Sequence, residues 1–216
     1  MNVPWKEWWP LLLDGAVVTL QVSVLSAIVA LLIAAAVGLA RVSRFMIVRG
    51  IAKIYVELFR SCSLLVLLFW TYFALPFIGI ELSKLAAGVL AIGLNISAYG
   101  AEIVRSAIMA VPAGQREAAV ALNLSDTQRM FRIVLPQAFA RMLPPFGNLL
   151  IELVKSTSLV YFITLSDLTY QALILRNNFN SWTLLIFALL LVIYFLISSC
   201  VTLAIRLLER RITAWR

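Results

Sequence analysis

Five long apolar stretches, separated by short polar segments, dominate the pattern of the chain. They cover residues 16–39, 54–75, 85–108, 138–165 and 183–205. A helix needs about 20 mostly apolar residues to cross the hydrocarbon core of a bilayer. The fourth stretch is the least regular, because it contains Pro144, Pro145, Glu152 and Lys155. The pattern predicts an all-α integral membrane protein with five transmembrane helices, built as a single domain over residues 1–216.

The composition supports a membrane protein and excludes several kinds of site. Hydrophobic residues make up 63% of the chain and charged residues only 13%, whereas soluble domains carry about a quarter charged residues. The chain has no histidine, and Cys62 and Cys200 lie far apart in apolar runs. We therefore expect no metal site, no disulfide and no histidine catalysis. No GxxxxGK[ST] phosphate loop is present, so we expect no nucleotide-binding site and no enzyme activity in the chain itself.

The distribution of basic residues predicts the orientation. The net charge of +8 would suit nucleic acid, but in membrane proteins such an excess arises from cytoplasmic loops rich in Lys and Arg. With the N-terminus outside, the residues on the inner side are Arg41, Arg44, Arg49, Lys53, Arg60, Arg105, Arg116, Arg129, Arg132, Arg141, Arg206, Arg210, Arg211 and Arg216. Trp5, Trp8, Trp9 and Trp182 then form an interfacial belt at the outer boundary. We predict an outside N-terminus, a cytoplasmic C-terminus and no nucleic acid partner.

The loop 109–137 between the third and fourth spans contains its own helix and turn signals. Pro112 suits a turn, and residues 116–122 are strong helix formers. Asn123 follows, and asparagine tolerates the left-handed backbone conformation that ends many helices. The pattern predicts a short helix of about two turns that stops at Asn123.

A second short helix is predicted after this turn. Ser125 and Gln128 have the spacing of a capping box, and Pro136 predicts the end of the helix at Leu135. The result is a helix–turn–helix elbow whose exposed side would show Ala118, Ala119 and Leu122. On shape alone, an ordinary amphipathic connector lying on the membrane explains the loop equally well.

The residues of this elbow also carry a resemblance to a known family. Residues 115–125 read Gln-Arg-Glu-Ala-Ala-Val-Ala-Leu-Asn-Leu-Ser, and residues 133–137 read Ile-Val-Leu-Pro-Gln. This resembles the cytoplasmic loop signature of bacterial ABC importer permeases, with Asn123 in place of the family's glycine. Segments 55–60, 72–76, 94–105, 143–145, 155–159 and 208–211 are similar to motifs of the polar amino acid uptake subgroup. The resemblance covers nearly the whole chain.

The resemblance implies a permease subunit that works with partners. It implies that the elbow is a coupling helix docked on a cytoplasmic ATPase subunit, which would hold the ATP and Mg. The residues implied in coupling are Gly114, Gln115, Arg116, Glu117, Ala118, Ala119, Leu122, Asn123, Leu135 and Pro136. The other implied partners are a second permease chain, identical or related, an extracytoplasmic solute-binding protein and membrane lipid. The implied location is the bacterial inner membrane.

Polar residues inside the predicted spans are candidates for a substrate pathway, because ionisable groups there are costly and usually face a cavity or each other. Glu102 and Arg105 are spaced to form a pair near the inner boundary, and we favour that structural role. Asn95 and Tyr99, four residues apart, would face one cavity.

Glu152 and Lys155 have the same spacing at a deeper level of the fourth span. Lys155, beside the hydroxyls of Ser156, Thr157 and Ser158, would hold the carboxylate of a zwitterion. An internal ion pair that only braces the bundle explains Glu152 and Lys155 equally well.

The residues leave the solute and the driving force open. Ser156 stands where the subgroup usually has aspartate, which points to a polar amino acid or to an amino-acid-like zwitterion such as an ectoine-type compatible solute. An ion-gradient-driven secondary transporter or channel protomer is the main alternative, although no second copy of any segment is found.

Overall fold

The computed structural model describes residues 4–213, and every regular element in that range is helical. The α-helices are α1 (Trp5–Arg41), α2 (Met46–Ser61), α3 (Leu64–Phe69), α4 (Lys84–Met109), α5 (Ala113–Ala121), α6 (Asp126–Gln128), α7 (Leu135–Ser156), α8 (Leu168–Asn178) and α9 (Thr183–Thr213). Two π-helical turns occupy Trp70–Ala74 and Arg129–Val134, and 3₁₀ turns occupy Leu75–Ile78, Thr157–Ile163 and Asn180–Trp182. Arg216, counted above among the basic residues on the inner side, lies outside the described residues.

Within residues 4–213, four helical segments are long and apolar enough to span a bilayer. They are Trp5–Arg41, Lys84–Met109, Asp126–Ile163 and Asn180–Arg211. A fifth span arises only if Met46–Ser61 and Leu64–Ile78 are counted together, and these two are bent by 101°. The prediction of one continuous helix over residues 54–75 is therefore wrong. The first span also begins earlier than predicted, at Trp5.

Helices α1 and α4 run parallel and in close contact along most of their length. Ser26 donates a hydrogen bond to the Val89 carbonyl at 3.5 Å, and further along the two helices Gly38 lies against Val104. Contacts that advance together along both helices require that both point in the same direction. Small residues allow this approach, as is common between membrane helices.

We expect Gly38→Ala to destabilise the α1–α4 contact. A Cβ atom at Gly38 would lie 2.5 Å from the Val104 Cβ, a distance that forces the helices apart and costs about 1–3 kcal/mol. Gly50→Ala is the matched control, because nothing lies within 4 Å of the added Cβ and alanine favours a helix by roughly 0.5–1 kcal/mol. Thermal unfolding in detergent measures both variants. Equal melting temperatures for the two would contradict the contact.

Helix α7 runs antiparallel to α4, and α9 packs on the outer side of α7. Phe146, near the middle of α7, lies near Gly100, and Val160, after the end of α7, lies near Gly88. Gly147 of α7 contacts Ile205 of α9. Most apolar side chains of α9 are exposed in the isolated chain, as expected for a helix that faces lipid.

Helix α8 was not foreseen from the sequence. Leu168 and Leu175 of this helix pack with Trp8 and Ile186 in a separate apolar cluster. The ring of Trp8 is fully buried and lies 5.8 Å from that of Phe179. The prediction that Trp8 faces an interface is therefore wrong, because α8 covers it. Trp5 and Trp9 remain exposed.

Candidate functional site

The second span breaks at Cys62 and Ser63, both of which have extended backbone conformations. The break frees carbonyl groups that an intact helix would satisfy. Asn95 of α4 compensates, because its Nδ2 donates to the carbonyl oxygens of Phe59 at 2.9 Å and Cys62 at 3.4 Å. Irregular backbone at membrane depth requires such partners.

This arrangement gives Asn95 and Tyr99 different surroundings. Asn95 is 7% exposed, and its amide group is hydrogen-bonded to the backbone at the break. Tyr99 is 39% exposed, and its hydroxyl donates to the Arg60 carbonyl at 3.4 Å. The Arg60 guanidinium lies 5.3 Å from the centre of the Tyr99 ring. Tyr99 therefore lines an open surface, while Asn95 lies behind it and holds α2 in place.

Glu102 joins two arginines at one end of the bundle. Its Oε1 accepts from Arg105 Nε at 2.9 Å, which confirms the predicted pair. Its Oε2 accepts from Arg41 Nη2 of α1 at 3.1 Å. Sequence reasoning did not identify Arg41 as a partner of Glu102, since 61 positions separate the two residues and no local pattern relates them.

Two adjoining cavities of about 300 and 420 Å³ open on one face of the chain. Asn148 and Glu152 line both of them. We call this surface the polar cleft, defined by Arg60, Tyr99, Glu102, Asn148, Glu152 and Lys155. Sequence reasoning missed Asn148, although its spacing of four from Glu152 and seven from Lys155 is the helical signal for a shared face.

Glu152 and Lys155 are exposed and form no ion pair with each other within residues 4–213. The structure therefore does not show the internal ion pair that the sequence offered as one of two explanations for these residues. Both side chains line the cleft.

The predicted row of hydroxyls beside Lys155 does not assemble. Thr157 is buried and donates to the Val154 carbonyl at 2.7 Å. Ser158 donates to the Lys155 carbonyl at 2.8 Å, and Ser156 is half-buried at the end of α7. Serine and threonine commonly return their hydroxyls to the preceding helical turn in this way. Of residues 155–158, Lys155 is the one that lines the cleft.

The elbow between α4 and α7 forms largely as predicted. Helix α5 ends before Asn123, whose φ of 52° is left-handed. The capping box of Ser125 and Gln128 is present in both directions. Gly114, Gln115, Glu117, Ala118 and Leu122 are exposed.

Two details of the predicted elbow are wrong. Ala119 is 2% exposed rather than on the surface. It lies three residues after Arg116, whose Nη2 donates to the Ile108 carbonyl at 2.6 Å, so this face of α5 lies against the end of α4. The second helix also does not stop before Pro136. The chain passes through the π-turn Arg129–Val134 directly into α7, and Leu135 and Pro136 occupy its first turn, where proline is tolerated.

Several bonds fix the elbow to the bundle. Gln137 Nε2 donates to Gln115 Oε1 at 3.2 Å, and Arg141 donates to the Ala110 carbonyl. Beneath them, Ile108, Val111 and Val134 belong to one buried apolar cluster. The elbow is therefore continuous in packing with α4 and α7.

Residues 30–214 match the family of binding-protein-dependent transport system inner membrane components. The chain belongs to this family. It is 43% identical to a probable amino-acid ABC transporter permease, y4tF of Sinorhizobium fredii, over 100% of this chain and 93% of the relative. It is 37% identical to the glutamine transport system permease GlnP of Escherichia coli K12, over 98% of each. These relatives do not favour an ion-gradient-driven transporter.

Solved structures agree with this membership. One chain of an amino acid ABC transporter crystallised with histidines superimposes with a TM-score of 0.88 at 32% identity, covering 98% of this permease and 100% of that chain. An inward-facing MetNI methionine ABC transporter gives a TM-score of 0.78 at 21% identity, covering 98% of this permease and 99% of that chain. The second likeness supports the fold of the permease alone.

Asp167 is a polar group of the permease that sequence reasoning missed. It is fully buried before α8 and accepts the backbone N–H groups of Thr169 at 3.2 Å and Tyr170 at 2.9 Å. The Tyr194 hydroxyl of α9 donates to its Oδ2 at 3.4 Å. Burial raises the pKa of Asp167 from 3.8 to about 6. An N-cap aspartate before a short helix is the local signal that was overlooked.

We expect Asp167 to make the stability of the permease depend on pH. Because its folded pKa of about 6 exceeds its ordinary value of 3.8, the folded state retains a proton that the unfolded state loses between these values. Stability therefore falls as pH rises through this window, by about 3 kcal/mol at 1.36 kcal/mol per pKa unit. Melting temperatures from pH 4 to 7 should show a smaller decline in Asp167→Asn. Parallel curves for both proteins would contradict the prediction.

Proposed function

We propose that the chain is the permease subunit of an ABC importer that carries a polar amino acid or a similar zwitterion across the bacterial inner membrane. A separate cytoplasmic subunit would bind ATP and Mg and hydrolyse the ATP. The observation that carries the proposal is the similarity, over nearly the full length, to amino-acid ABC transporter permeases. An extracytoplasmic solute-binding protein would deliver the solute, in keeping with a family of binding-protein-dependent systems.

The elbow is the proposed docking site for the ATPase. Glu117 and Ala118 are exposed, while the opposite face of α5 is fixed to α4 through Arg116. A short rigid helix with small side chains suits a groove on a partner protein. With this docking site, the elbow and the arginine-rich end of the bundle would lie in the cytoplasm and the N-terminus outside. This agrees with the excess of Lys and Arg expected in cytoplasmic segments.

The polar cleft supports a second permease chain, identical or related. Glu152 and Lys155 lie within the apolar segment Asp126–Ile163 and are exposed in the isolated chain. Charges at this depth are costly if they face lipid. A second permease chain facing the cleft would remove them from lipid and enclose a pathway between the two chains.

The charges of the cleft suit a zwitterionic solute. The Lys155 ammonium would attract a carboxylate and Glu152 an α-ammonium group, and Asn148 lines the same cavity. Ser156 stands where the subgroup usually has aspartate, so this position adds no carboxylate for a cationic side chain. We therefore include ectoine-type zwitterions with neutral polar amino acids as proposed solutes.

Reconstitution tests the proposed function. The permease, co-purified with its ATPase and incorporated in liposomes with the solute-binding protein, should accumulate a labelled polar amino acid only when ATP is supplied. Unlabelled glutamine, arginine and ectoine as competitors would rank the solutes. Uptake that an ion gradient drives without any ATPase would overturn the proposal.

We expect Lys155→Met to reduce uptake roughly 10- to 100-fold. The variant removes a charge-assisted hydrogen bond to the solute carboxylate, which is worth about 1.5–3 kcal/mol. Lys6→Met is the matched control, because Lys6 is an exposed lysine of α1 outside the cleft. Initial rates in the same liposomes give the comparison. Equal rates for wild type and Lys155→Met would remove Lys155 from the pathway.

A further inference from the structure

A groove of about 620 Å³ lies beside the elbow, away from the polar cleft. The end of α1, the connection to α2, and the segment from α6 through the π-turn form its walls. We call it the basic groove, defined by Val42, Arg44, Phe45, Arg116, Arg129 and Phe131. Because it adjoins the end of the apolar span Trp5–Arg41, we expect it to lie where the hydrocarbon of a bilayer gives way to headgroups.

The groove has a surplus of positive charge. Arg129 forms an ion pair with Asp126, which leaves Arg44 and Arg116 without a carboxylate partner in the part of the chain that the structure describes. The Nε atoms of Arg116 and Arg129 are also buried without a hydrogen-bond partner within residues 4–213. Buried donors of this kind are costly unless an acceptor is supplied. An anion in the groove would accept hydrogen bonds from the accessible N–H groups of these guanidiniums and balance their charge.

The walls of the groove are also apolar. Phe45 is 60% exposed and Phe131 is 62% exposed, and the Arg44 guanidinium lies 5.0 Å from the centre of the Phe45 ring. Exposed Met46 and Ile47 continue this surface at the start of α2. A small inorganic anion would leave these side chains uncovered, whereas acyl chains would cover them.

The groove lies on the other side of α5 from the proposed ATPase docking site. Arg116 lines the groove and belongs to the face of α5 that is turned toward the bundle, as shown by its bond to the Ile108 carbonyl. Glu117 and Ala118 belong to the exposed face. An occupant of the groove and a protein docked on Glu117 would therefore not compete for the same side chains.

We infer that the basic groove binds the headgroup of an anionic phospholipid. The phosphodiester oxygens accept hydrogen bonds from the guanidinium groups of Arg44, Arg116 and Arg129, and the acyl chains lie along Phe45 and Phe131. Basic pockets beside membrane helices recognise anionic headgroups by this combination. The bound lipid ties the elbow to the end of α1 through shared contacts.

Lipid titration of the purified complex tests the inference. The full-length permease with its ATPase, in detergent, is titrated with a short-chain phosphatidylglycerol, and bound lipid is counted by native mass spectrometry. Arg44→Gln removes an exposed guanidinium of the groove and should weaken binding about fivefold, since one basic group near a lipid surface is worth about 1 kcal/mol. Arg132→Gln removes the same charge from an exposed position outside the groove and should leave binding unchanged.

Three further outcomes would overturn the inference. Equal weakening by Arg44→Gln and Arg132→Gln would show a diffuse attraction rather than a site. Equally tight binding of short-chain phosphatidylcholine would show that the groove does not recognise the negative charge of the lipid. Displacement of the lipid by an equal concentration of inorganic phosphate would make a free anion the occupant. Phe45→Ser gives a second test, because it removes apolar contact without removing charge and should also weaken lipid binding.

Discussion

A permease carrying Glu117→Lys is expected to fold and insert normally but to lose ATP-dependent uptake. Glu117 is exposed on α5 and forms no ion pair or hydrogen bond within residues 4–213, so the substitution disturbs no internal contact. On the proposed ATPase partner, a basic residue facing Glu117 would meet a like charge instead of an opposite one. Juxtaposed like charges cost several kcal/mol at an interface, enough to reduce docking by 100-fold or more.

Co-purification and uptake measure this effect together. The ATPase should be missing from the purified Glu117→Lys complex, and uptake in liposomes should fall to the level without ATP. Glu81→Lys is the matched control, because it makes the same charge change at an exposed residue before α4, away from the elbow. Normal uptake with a normal amount of ATPase in Glu117→Lys would disprove the role of the elbow.

Asn95→Asp is expected to have the largest effect on stability, about 3 kcal/mol or more. The substitution keeps the shape of the side chain but replaces its Nδ2 donor with an oxygen. The carbonyls of Phe59 and Cys62 then lose their side-chain donor and face a carboxylate at a position that is 7% exposed. Each unsatisfied buried group costs about 1–3 kcal/mol, and a buried charge costs more.

Unfolding in detergent, followed by circular dichroism, measures this loss. Asn148→Asp is the control, since Asn148 is exposed and the same change there should leave the melting temperature nearly unaltered. Uptake by Asn95→Asp should also fall, because Asn95 holds the end of α2, which presents Arg60 to the polar cleft. Equal melting temperatures for Asn95→Asp and wild type would mean that the break needs no donor from α4.

The spans and the elbow could be predicted because their signals are local. A span needs only a run of apolar residues, and the elbow is encoded by Asn123 and by the Ser125–Gln128 capping box within a few positions. The break in the second span has no such signal, because Ser61, Cys62 and Ser63 include neither proline nor glycine. The donor that stabilises the break comes from Asn95, 33 positions after Cys62.

In the polar cleft, too, the contacts within one helix could be predicted from the sequence and the contacts between helices could not. The Glu102–Arg105 pair lies within one helix and could be predicted from its spacing, while the bond from Arg41 depends on how α1 packs against α4. The hydroxyls of Thr157 and Ser158 were misplaced because the helix changes to a 3₁₀ turn at Thr157. A helical projection assumes a constant turn and cannot anticipate such a change.

Because α1 and α4 are in close contact along most of their length, we expect the two helices to move together as one rigid body. The elbow is bonded to the last turn of α4 through the hydrogen bond from Arg116 to the Ile108 carbonyl. Arg141 of α7 holds the residue just after α4 by donating to the Ala110 carbonyl. Helix α4 has 26 residues and is therefore about 39 Å long. A rotation of α5 by a few degrees about this junction would displace the far ends of both helices by several ångströms, on the opposite side of the bilayer.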